Sequence, residues 1–345
     1  MTSINPPSAI DASAEPTALP GRKLDIAPFA LLVGVAVLAL PLTGSVSTWV
    51  TLTVAGLAMG MMLFIMTSGL TLVFGLMDVL NLGHAAFVAL GAYVAATAAG
   101  FVQPWLASTS SAMNLLAVAS VVAAAVITSA IVGLVYERLF IRPVYGSHLK
   151  QILITIGAML VMVQLMLVVW GANQMQLMPP SFLRGVHMVG SVAIERYRIF
   201  AFVVGLVVYA AMMIVMHSSR VGLLIRAGVE NREMVEALGH HIRRMFVVVC
   251  ICGSALAGLG GAMWGFYREE FSASIGSDVL VQILIITIIG GLGSITGCLY
   301  GAMLIALCAN YIGFLAPDLA VVSDIIVMMA ILLWRPNGLH PVAAH

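Results

Sequence analysis

Charged residues are scarce in this chain. Of its 345 residues only 8% are Asp, Glu, Lys or Arg, whereas 62% are apolar. A soluble domain carries about 25% charged residues, so this composition excludes an ordinary soluble fold. The sequence predicts an all-α, polytopic helical membrane protein whose surface is solvated mostly by lipid. The net charge of +1 gives no support for nucleic acid as a partner.

Lysine is almost absent, with only Lys23 and Lys150 in the whole chain. Neither lysine follows a glycine-rich loop or precedes Ser or Thr, so the chain lacks a phosphate-binding P-loop. If ATP drives this protein, another chain must bind it. The sequence shows no paired carboxylates, nucleophile motif or metal-ligand spacing, so we expect neither catalysis nor a cofactor. The four cysteines lie inside apolar runs and are expected to be packing residues.

The N-terminal 25 residues differ in composition from the rest of the chain. They contain four prolines among Ser, Ala and acidic residues, which is typical of a disordered tail. Arg22 and Lys23 immediately precede the first apolar run and would hold this tail in the cytosol. We therefore divide the chain into a disordered cytosolic tail, residues 1–25, and a transmembrane domain, residues 26–340.

Ten apolar segments follow the tail. They cover residues 27–42, 50–72, 85–101, 115–136, 152–170, 200–216, 246–266, 279–289, 295–315 and 319–334. A spanning helix needs about 20 residues, so most of them qualify. The eighth is short and must tilt, extend through Gly290 or stop inside the protein. The pattern favours ten crossings, with eight or nine as alternatives. Ten crossings from a cytosolic start place 217–245, with five arginines, in the cytosol.

Two interruptions combine glycine with polar residues, at 74–87 and at 290–297. Such stretches are tolerated at membrane depth where a helix breaks beside a cavity or packs closely. They predict broken helices beside a translocation pathway. The candidate pathway residues are Asn81, His84, Gly290, Gly291, Gly293 and Ser294. The alternative is that Asp78 and Asn81 cap helices in a turn at the membrane edge, and for Asp78 this alternative is favoured.

The loop 217–245 is the most highly charged stretch of the chain. Asn231 suits a helix N-cap and Gly239 suits a C-terminal stop, so a helix of about two turns is expected between them. Its apolar face comprises Met234, Val235 and Leu238, and its charged rim comprises Arg232, Glu233 and Glu236. Such a helix could fill a groove on a cytosolic partner or lie flat at the bilayer interface.

Asp324 lies in the last apolar segment. It could be intramembrane, but the preceding Pro317-Asp318 pair favours a turn, with Asp324 as the N-cap of a helix that starts at Ile325. Titratable groups at membrane depth are typical of ion-coupled carriers. An ion-coupled secondary transporter that uses Asp78, His84 or Asp324 is therefore an alternative function.

Several short motifs resemble the permease subunits of branched-chain amino acid ABC importers, the H-type (LivH-like) subunit in particular. These motifs are Gly69–Gly75, Asn81–His84, Gly91–Tyr93, Tyr136–Arg138 with Arg142–Pro143, Arg226–Ala227, Glu236–Gly239, Gly290–Ser294 and Arg335–Leu339. They run in order over about residues 50 to 340. Two features depart from the pattern, because the tail before Arg22 is unusually long and Ala85-Ala86-Phe87 is more similar to the sister M-type permease.

The resemblance implies a multi-pass subunit of the bacterial inner membrane. Its partners would be a homologous M-type permease or a second copy, two cytosolic ATPase subunits and a periplasmic substrate-binding protein. The helix at 231–239 would be the coupling helix, whose contact residues would be Arg232, Glu233, Met234, Val235, Glu236, Leu238 and Gly239. Similar permeases serve branched-chain amino acids, urea, amides and aromatic acids, so the resemblance leaves the solute open.

Overall fold

The computed structural model describes residues 26–190, 192–230, 232–239 and 242–340. The predicted tail, residues 1–25, and the predicted N-cap Asn231 lie outside these ranges. The helices are α1 (Ala27–Leu42), α2 (Val46–Met77), α3 (His84–Phe101), α4 (Gln103–Leu106), α5 (Ser111–Tyr136), α6 (His148–Trp170), α7 (Arg196–Ser218), α8 (Arg220–Glu230), α9 (Arg232–Ala237), α10 (Ile242–Arg268), α11 (Ile275–Gly290), α12 (Ile295–Leu315) and α13 (Pro317–Trp334). A π-helix (Glu137–Ile141) and a 3-10 helix (Arg142–Val144) continue α5, so that the apolar span runs from Ser111 to Val144. Two antiparallel pairs of short strands are also present, β1 (Met175–Gln176) with β4 (Glu270–Phe271) and β2 (Val186–Val189) with β3 (Val192–Glu195).

The predicted polytopic helical class is confirmed. Within the described residues, seven helices are long and apolar enough to cross a membrane: α2, α3, α5, α6, α7, α10 and α12. Three shorter apolar helices are α1, α11 and the Val322–Trp334 part of α13. These ten helices coincide with the ten predicted segments. The short eighth segment is α11, which extends through Gly290 and reaches only about 24 Å at 1.5 Å per residue.

Local sequence explains several helix starts. The hydroxyl of Ser45 accepts a hydrogen bond from the Thr48 amide at 3.1 Å and begins α2. The hydroxyl of Ser294 accepts one from the Gly297 amide at 3.1 Å and begins α12. Proline stands in the first turn of α13, where its missing amide hydrogen costs nothing. Side-chain caps of this kind satisfy amides that a helix leaves without an internal partner.

Helix α2 lies at the centre of the bundle and contacts α7, α10, α11 and α12. The side chains from Met62 to Met66 are fully buried. Glycines bring α12 close to it, since a Cβ atom added at Gly60 would lie 3.1 Å from the Cα of Met303. By contrast, few side chains of α6 and α7 are buried and many apolar ones are exposed, so these helices form the lipid-facing side.

Small residues on α10 serve packing within the chain. Sequence alone leaves open whether this face pairs subunits or packs internally. In the structure Gly253 meets Gly69 of α2, and Gly258 and Gly261 meet Gly91 and Val88 of α3. These contacts let the backbones of three helices approach closely, which is the main source of helix affinity in lipid. The glycine face of α10 is therefore internal.

Replacing Gly91 by alanine is expected to destabilise the bundle. The added Cβ atom would lie 2.6 Å from the Cα of Gly258 and closer still to its carbonyl oxygen, so α3 and α10 must separate. Overpacking of this kind costs about 1–3 kcal/mol. The measurement is the melting temperature of the detergent-solubilised chain. Gly157→Ala is the matched control, because nothing lies within 4 Å of a Cβ atom added at this glycine of α6. Equal melting temperatures for the two variants would contradict the packing account.

Both sequence interruptions lie at one end of the bundle. A Cβ atom added at Gly75 near the first interruption would lie 2.8 Å from the Cα of Gly293 in the second. Helices α8 and α9 lie at the same end, since Gly228 packs against Leu76 near the end of α2. We call this the arginine-rich end, because its segments hold Arg138, Arg142, Arg220, Arg226, Arg243, Arg244 and Arg335. Residues 102–110, 171–190, 192–195 and 269–274 lie at the opposite end.

Candidate functional site

Helix α8 is attached to the bundle at the arginine-rich end. The Ser219 hydroxyl accepts a hydrogen bond from the Gly222 amide at 3.0 Å and begins its first turn. Gly222 packs against the backbone of Val215 and Met216 in α7, and Ile225 is buried. With the contact between Gly228 and Leu76, α8 touches both α7 and α2, so a displacement of α8 would act on two spanning helices.

Helix α9 forms as the predicted short helix and ends at the predicted glycine. The amide of Leu238 donates to the Met234 carbonyl at 3.0 Å, and the Gly239 amide donates to the Glu236 carbonyl at 2.9 Å. Gly239 has φ of +81°, a left-handed conformation that glycine adopts without steric cost. The chain then turns toward α10.

The orientation of α9 differs from the prediction at one residue. Met234 and Leu238 are 58% and 71% exposed, but Val235 is only 2% exposed and belongs to the protein's own core. Residues four apart share a helix face, whereas Val235 lies about 100° around the axis from Met234. Val235 therefore anchors α9 and is not part of the exposed apolar pair. Glu236 is exposed beside this pair, and the side chains of Arg232 and Glu233 lie outside the described residues.

The first interruption is a turn from 78 to 83 that separates α2 from α3. Asp78 ends α2 in a left-handed conformation, with φ of 52°, and its amide donates to the Phe74 carbonyl at 2.8 Å. Its exposed carboxylate lies 3.6 Å from the Nε2 atom of His148. This is the capping role that the sequence favours for Asp78. A solvated pair of this kind contributes little to stability.

Asn81 and His84 are buried next to this turn. The Tyr136 hydroxyl donates to the Oδ1 atom of Asn81 at 3.0 Å. The Nε2 atom of His84 lies 2.8 Å from the Met66 carbonyl oxygen. Each polar group thus has a partner inside the bundle, as burial requires. These contacts tie the start of α3 to α5 and α2.

The second interruption is closed by residues 335–340, which we call the C-terminal clip. The Leu339 amide donates to the Ile289 carbonyl at 2.7 Å, and the His340 amide donates to the Gly290 carbonyl at 3.3 Å. The Leu339 side chain is buried. The clip therefore satisfies carbonyl groups that the end of α11 would otherwise leave without partners.

Replacing Gly338 by alanine is expected to open the C-terminal clip. Gly338 has φ of +88°, and an added Cβ atom would lie 2.7 Å from the Gly291 backbone. Gly146→Ala is the matched control, because Gly146 has φ of +81° but nothing within 4 Å of an added Cβ atom. The control isolates the conformational cost, about 1 kcal/mol, from the clash. Hydrogen exchange at Leu339 should increase only in the Gly338 variant; protection that matches the control would show that the clip tolerates the methyl group.

A cavity of about 680 Å³ lies near the opposite end of the bundle. Its walls come from α2, α10, α11 and α13 and from the segments that carry β1 and β4. Its polar lining includes Gln174, Arg268, Glu270, Asp278, Gln282 and Asp324. The first four of these are exposed, whereas Gln282 is half-buried and Asp324 is 8% exposed. The polar lining thus continues inward from a charged mouth.

The prediction that Asp324 is the N-cap of a helix is wrong. Helix α13 starts at Pro317, so Asp324 lies two turns inside it. The Nε2 atom of Gln282 donates to the Oδ2 atom of Asp324 at 2.9 Å, across from α11. The Pro317-Asp318 pair fits both a turn and a helix start, because proline is equally suited to a turn and to the first turn of a helix.

None of the six predicted pathway residues lines this cavity. Gly290 packs against Gly297 at the start of α12, Gly291 and Gly293 form the turn, and Ser294 is an N-cap. Their role in translocation stays a prediction. Each of the three titratable residues of the ion-coupled alternative also has a different partner. Asp78 pairs with His148, His84 contacts the Met66 carbonyl oxygen, and Asp324 accepts from Gln282.

The fold is that of a polytopic helical membrane protein. The chain belongs to the family described as branched-chain amino acid transport system, permease component, whose model matches residues 52–333. The resemblance seen in the sequence motifs is thus confirmed, and the chain is a permease component of a transport system.

Curated relatives match over most of the chain. BraD, a permease protein of a high-affinity branched-chain amino acid transport system in Pseudomonas aeruginosa, is 25% identical over 300 residues, which cover 83% of this chain and 94% of BraD. LivH of the corresponding system in Escherichia coli is 26% identical over 297 residues, which cover 82% and 92%. A shorter match, 28% identical over 136 residues, is to a probable LivH permease of Methanocaldococcus jannaschii and covers 36% and 42%. No solved structure matches the chain.

Proposed function

We propose that this chain is the permease subunit of an ATP-binding-cassette importer for branched-chain amino acids or a similar small polar solute. The observation that supports this most is the exposed apolar pair Met234 and Leu238 on a short helix at the arginine-rich end. Apolar side chains spaced four apart on one helix face suit a groove on another protein. Membership of the family indicates the class of transport system, and the exposed pair Met234 and Leu238 is the proposed attachment point for an ATPase subunit.

The attachment of α8 and α9 suits the transmission of movement. Val235 fixes α9 to the bundle, and α8 contacts α7 near Gly222 and α2 near Gly228. Closure of two ATPase subunits would move α9, and α8 would pass the displacement to the spanning helices. Such rocking between two arrangements of packed helices gives alternating access. The chain itself would be non-catalytic, with ATP hydrolysed on the separate subunits.

The proposed assembly contains three further kinds of chain. A homologous M-type permease or a second copy of this chain would complete the pathway, two ATPases would bind at the arginine-rich end, and a periplasmic binding protein would deliver the solute at the opposite end. The larger number of arginines at this end favours a cytosolic location for it in a bacterial inner membrane, although Arg184, Arg196, Arg198 and Arg268 lie toward the opposite end. With ten crossings, the N-terminus would also be cytosolic.

Reconstitution tests this function directly. We expect proteoliposomes that contain the chain, its permease partner and ATPases to import L-leucine only when ATP and the binding protein are present. The control replaces ATP by a proton or sodium gradient across the same vesicles. Uptake driven by the ion gradient alone would instead support the ion-coupled carrier and overturn the proposal.

A further inference from the structure

The hairpin of β2 and β3 presents an apolar face away from the bundle. Successive residues of a strand point to opposite faces, and residues directly opposite each other on two strands share a face. Strand β3 contacts α2, and its half-buried residues are Val192 and Ile194. The other face, which we call the outward face, therefore carries Ala193, its partner Met188, and Val186. Met188 and Val186 are 65% and 47% exposed.

The outward face continues the lipid-facing side of the bundle. Helix α7 follows β3 directly, and the amide of Arg196 in its first turn donates to the Gly185 carbonyl at 3.1 Å, next to β2. Ile199 and Val203 in the following turns of α7 are 43% and 50% exposed. A hairpin joined to the first turn of a lipid-facing helix is at the level of the lipid headgroups.

An exposed tryptophan lies in the segment that is bonded to the residues before the hairpin. The Ser181 hydroxyl donates to the Ser108 carbonyl at 2.8 Å, and the Ser181 amide donates to the Leu106 carbonyl at 3.0 Å. Trp105 and Phe182 stand next to these contacts and are 41% and 43% exposed. Tryptophan is enriched where membrane meets water, because its ring is amphipathic. These aromatic side chains thus agree with a headgroup-level position.

Arginine is in excess at the base of the hairpin. Residues 179–198 contain Arg184, Arg196 and Arg198 but only one acid, Glu195. The Nε and Nη2 atoms of Arg198 donate to the two oxygens of Glu195 at 3.0 Å each, so this acid is already paired. Among the residues that the structure describes, no carboxylate oxygen lies within 4.0 Å of the other two arginines. Their positive charge calls for an anion outside the chain.

Backbone contacts hold these two arginines near each other. The Nε atom of Arg184 donates to the Pro179 carbonyl at 2.5 Å, and the Nη1 atom of Arg196 donates to the Phe182 carbonyl at 3.5 Å. Phe182 lies two residues before Arg184, and Gly185, which accepts from the Arg196 amide, lies one residue after it. Each side-chain bond uses one of the five N–H donors of a guanidinium group. The fork of these donors matches the oxygens of a phosphate.

We propose that the outward face lies on the membrane and that Arg184 and Arg196 bind the headgroup phosphate of an anionic phospholipid. The acyl chains of this lipid would run beside Met188 and the exposed residues of α7. Continuity with α7 favours a lipid over a second protein chain as the occupant, and the two arginines favour an anionic headgroup over a zwitterionic one. The inference goes beyond the proposed function, because it concerns neither the solute nor the ATPases.

The first experiment locates the outward face relative to lipid. Met188→Cys in a Cys252→Ser background gives an exposed cysteine on this face, while Cys250, Cys298 and Cys308 stay buried. A fluorophore attached there on the purified chain, in phosphatidylcholine vesicles, should be quenched by lipids that carry a nitroxide near the headgroup. Asp318→Cys is the matched control, because Asp318 is an exposed acid in the first turn of α13. Its label should be quenched several-fold less. Equal quenching at the two positions, or none at position 188, would overturn the proposal.

The second experiment measures the choice of headgroup with the same label. Nitroxide-labelled phosphatidylglycerol replaces nitroxide-labelled phosphatidylcholine, and the quenching curves give a relative association constant. One arginine near a membrane surface changes the preference for an anionic lipid about fivefold, so phosphatidylglycerol should be favoured at least about fivefold. Salt at about 1 M should remove most of this preference. Equal constants for the two lipids would refute the anionic site. A loss caused by inorganic phosphate, but not by chloride at equal ionic strength, would indicate a site for a soluble anion instead.

Charge variants assign the preference to the two arginines. Arg196→Gln should lower the constant several-fold, and Arg184→Gln combined with it should bring the constant close to one. Arg268→Gln is the matched control, because Arg268 is an exposed arginine at the same end that lines the cavity. Replacing both arginines by lysine keeps the charge and should retain part of the preference. Quenching by phosphatidylcholine shows in each variant whether the hairpin keeps its position. An equal loss with Arg268→Gln and Arg196→Gln would mean that overall charge sets the preference, and the proposal would fail.

Discussion

The double substitution Met234→Asp and Leu238→Asp in this chain is expected to release the ATPase subunits from the assembly. Both side chains are exposed at the arginine-rich end, so the substitutions place two carboxylates where the proposal puts an apolar contact. Removing a central apolar contact costs about 2 kcal/mol or more, and burying a charge costs more than that. The affinity for the ATPases should therefore fall at least about a hundredfold. Co-purification of the ATPases with a tagged chain in mild detergent measures the loss.

The control for this variant is Leu149→Asp. Leu149 is 83% exposed in the first turn of α6, at the same end of the bundle but outside α8 and α9. It introduces one aspartate in place of an exposed leucine without touching the proposed contact, and Leu238→Asp alone is the variant of equal size to compare with it. The chain carrying both aspartates should still elute as a monodisperse membrane protein. Full retention of the ATPases by that chain would refute the role given to the exposed pair.

Val235→Asp is expected to uncouple the transporter by a different route. This side chain is buried within the chain's own core, so the new carboxylate would have to leave it, and α9 would detach from the bundle. The ATPases would lose a firmly positioned contact, and ATP-dependent uptake should fall at least about tenfold. Trypsin cleavage at Arg232, Arg243 and Arg244 should accelerate at the same time.

Val235→Ala gives the matched comparison. It removes two methyl groups without adding charge and should cost only about 1–2.5 kcal/mol of local packing. Cleavage and uptake should then stay close to those of the unsubstituted chain. Rapid cleavage of the Asp variant with normal uptake would show that a fixed α9 is not required for coupling.

Helix positions in this protein follow closely from the sequence. The first predicted segment coincides with α1 at both ends, and the ninth coincides with α12. In lipid a long apolar run has few alternatives to a helix, because every backbone amide and carbonyl needs an internal partner. Glycine at 239 similarly indicated the end of α9 through its access to positive φ.

The orientation of short elements was harder to predict. Met234, Val235 and Leu238 of α9 could form one exposed apolar face, or Val235 could be buried while the other two are exposed. The contacts of α9 with α8 and α10 determine which of these arrangements occurs, and the local sequence does not contain them. The cavity was missed for a related reason. Its lining residues, such as Met59, Gln174 and Asp324, are far apart in the sequence. No local sequence pattern predicts that they lie together in the fold.

The glycine and polar interruptions show a further limit of sequence reasoning. Close packing and solute pathways both favour glycine at membrane depth, so the residues at Gly290 and Gly293 fit either use. The structure supplies a packing partner for each interruption, through Tyr136, Met66 and the C-terminal clip. A pattern of residue types cannot separate these two uses without the neighbours.

The C-terminal clip has a consequence for biosynthesis. The last carbonyl groups of α11 receive their partners from Leu339 and His340, which the ribosome adds only after two more membrane helices. Until Leu339 and His340 are added, the hairpin of α11 and α12 lacks these two backbone hydrogen bonds at its turn. The part of the protein from α11 to the C-terminal clip therefore matures late, and a nascent chain arrested within α13 should expose that turn to membrane proteases.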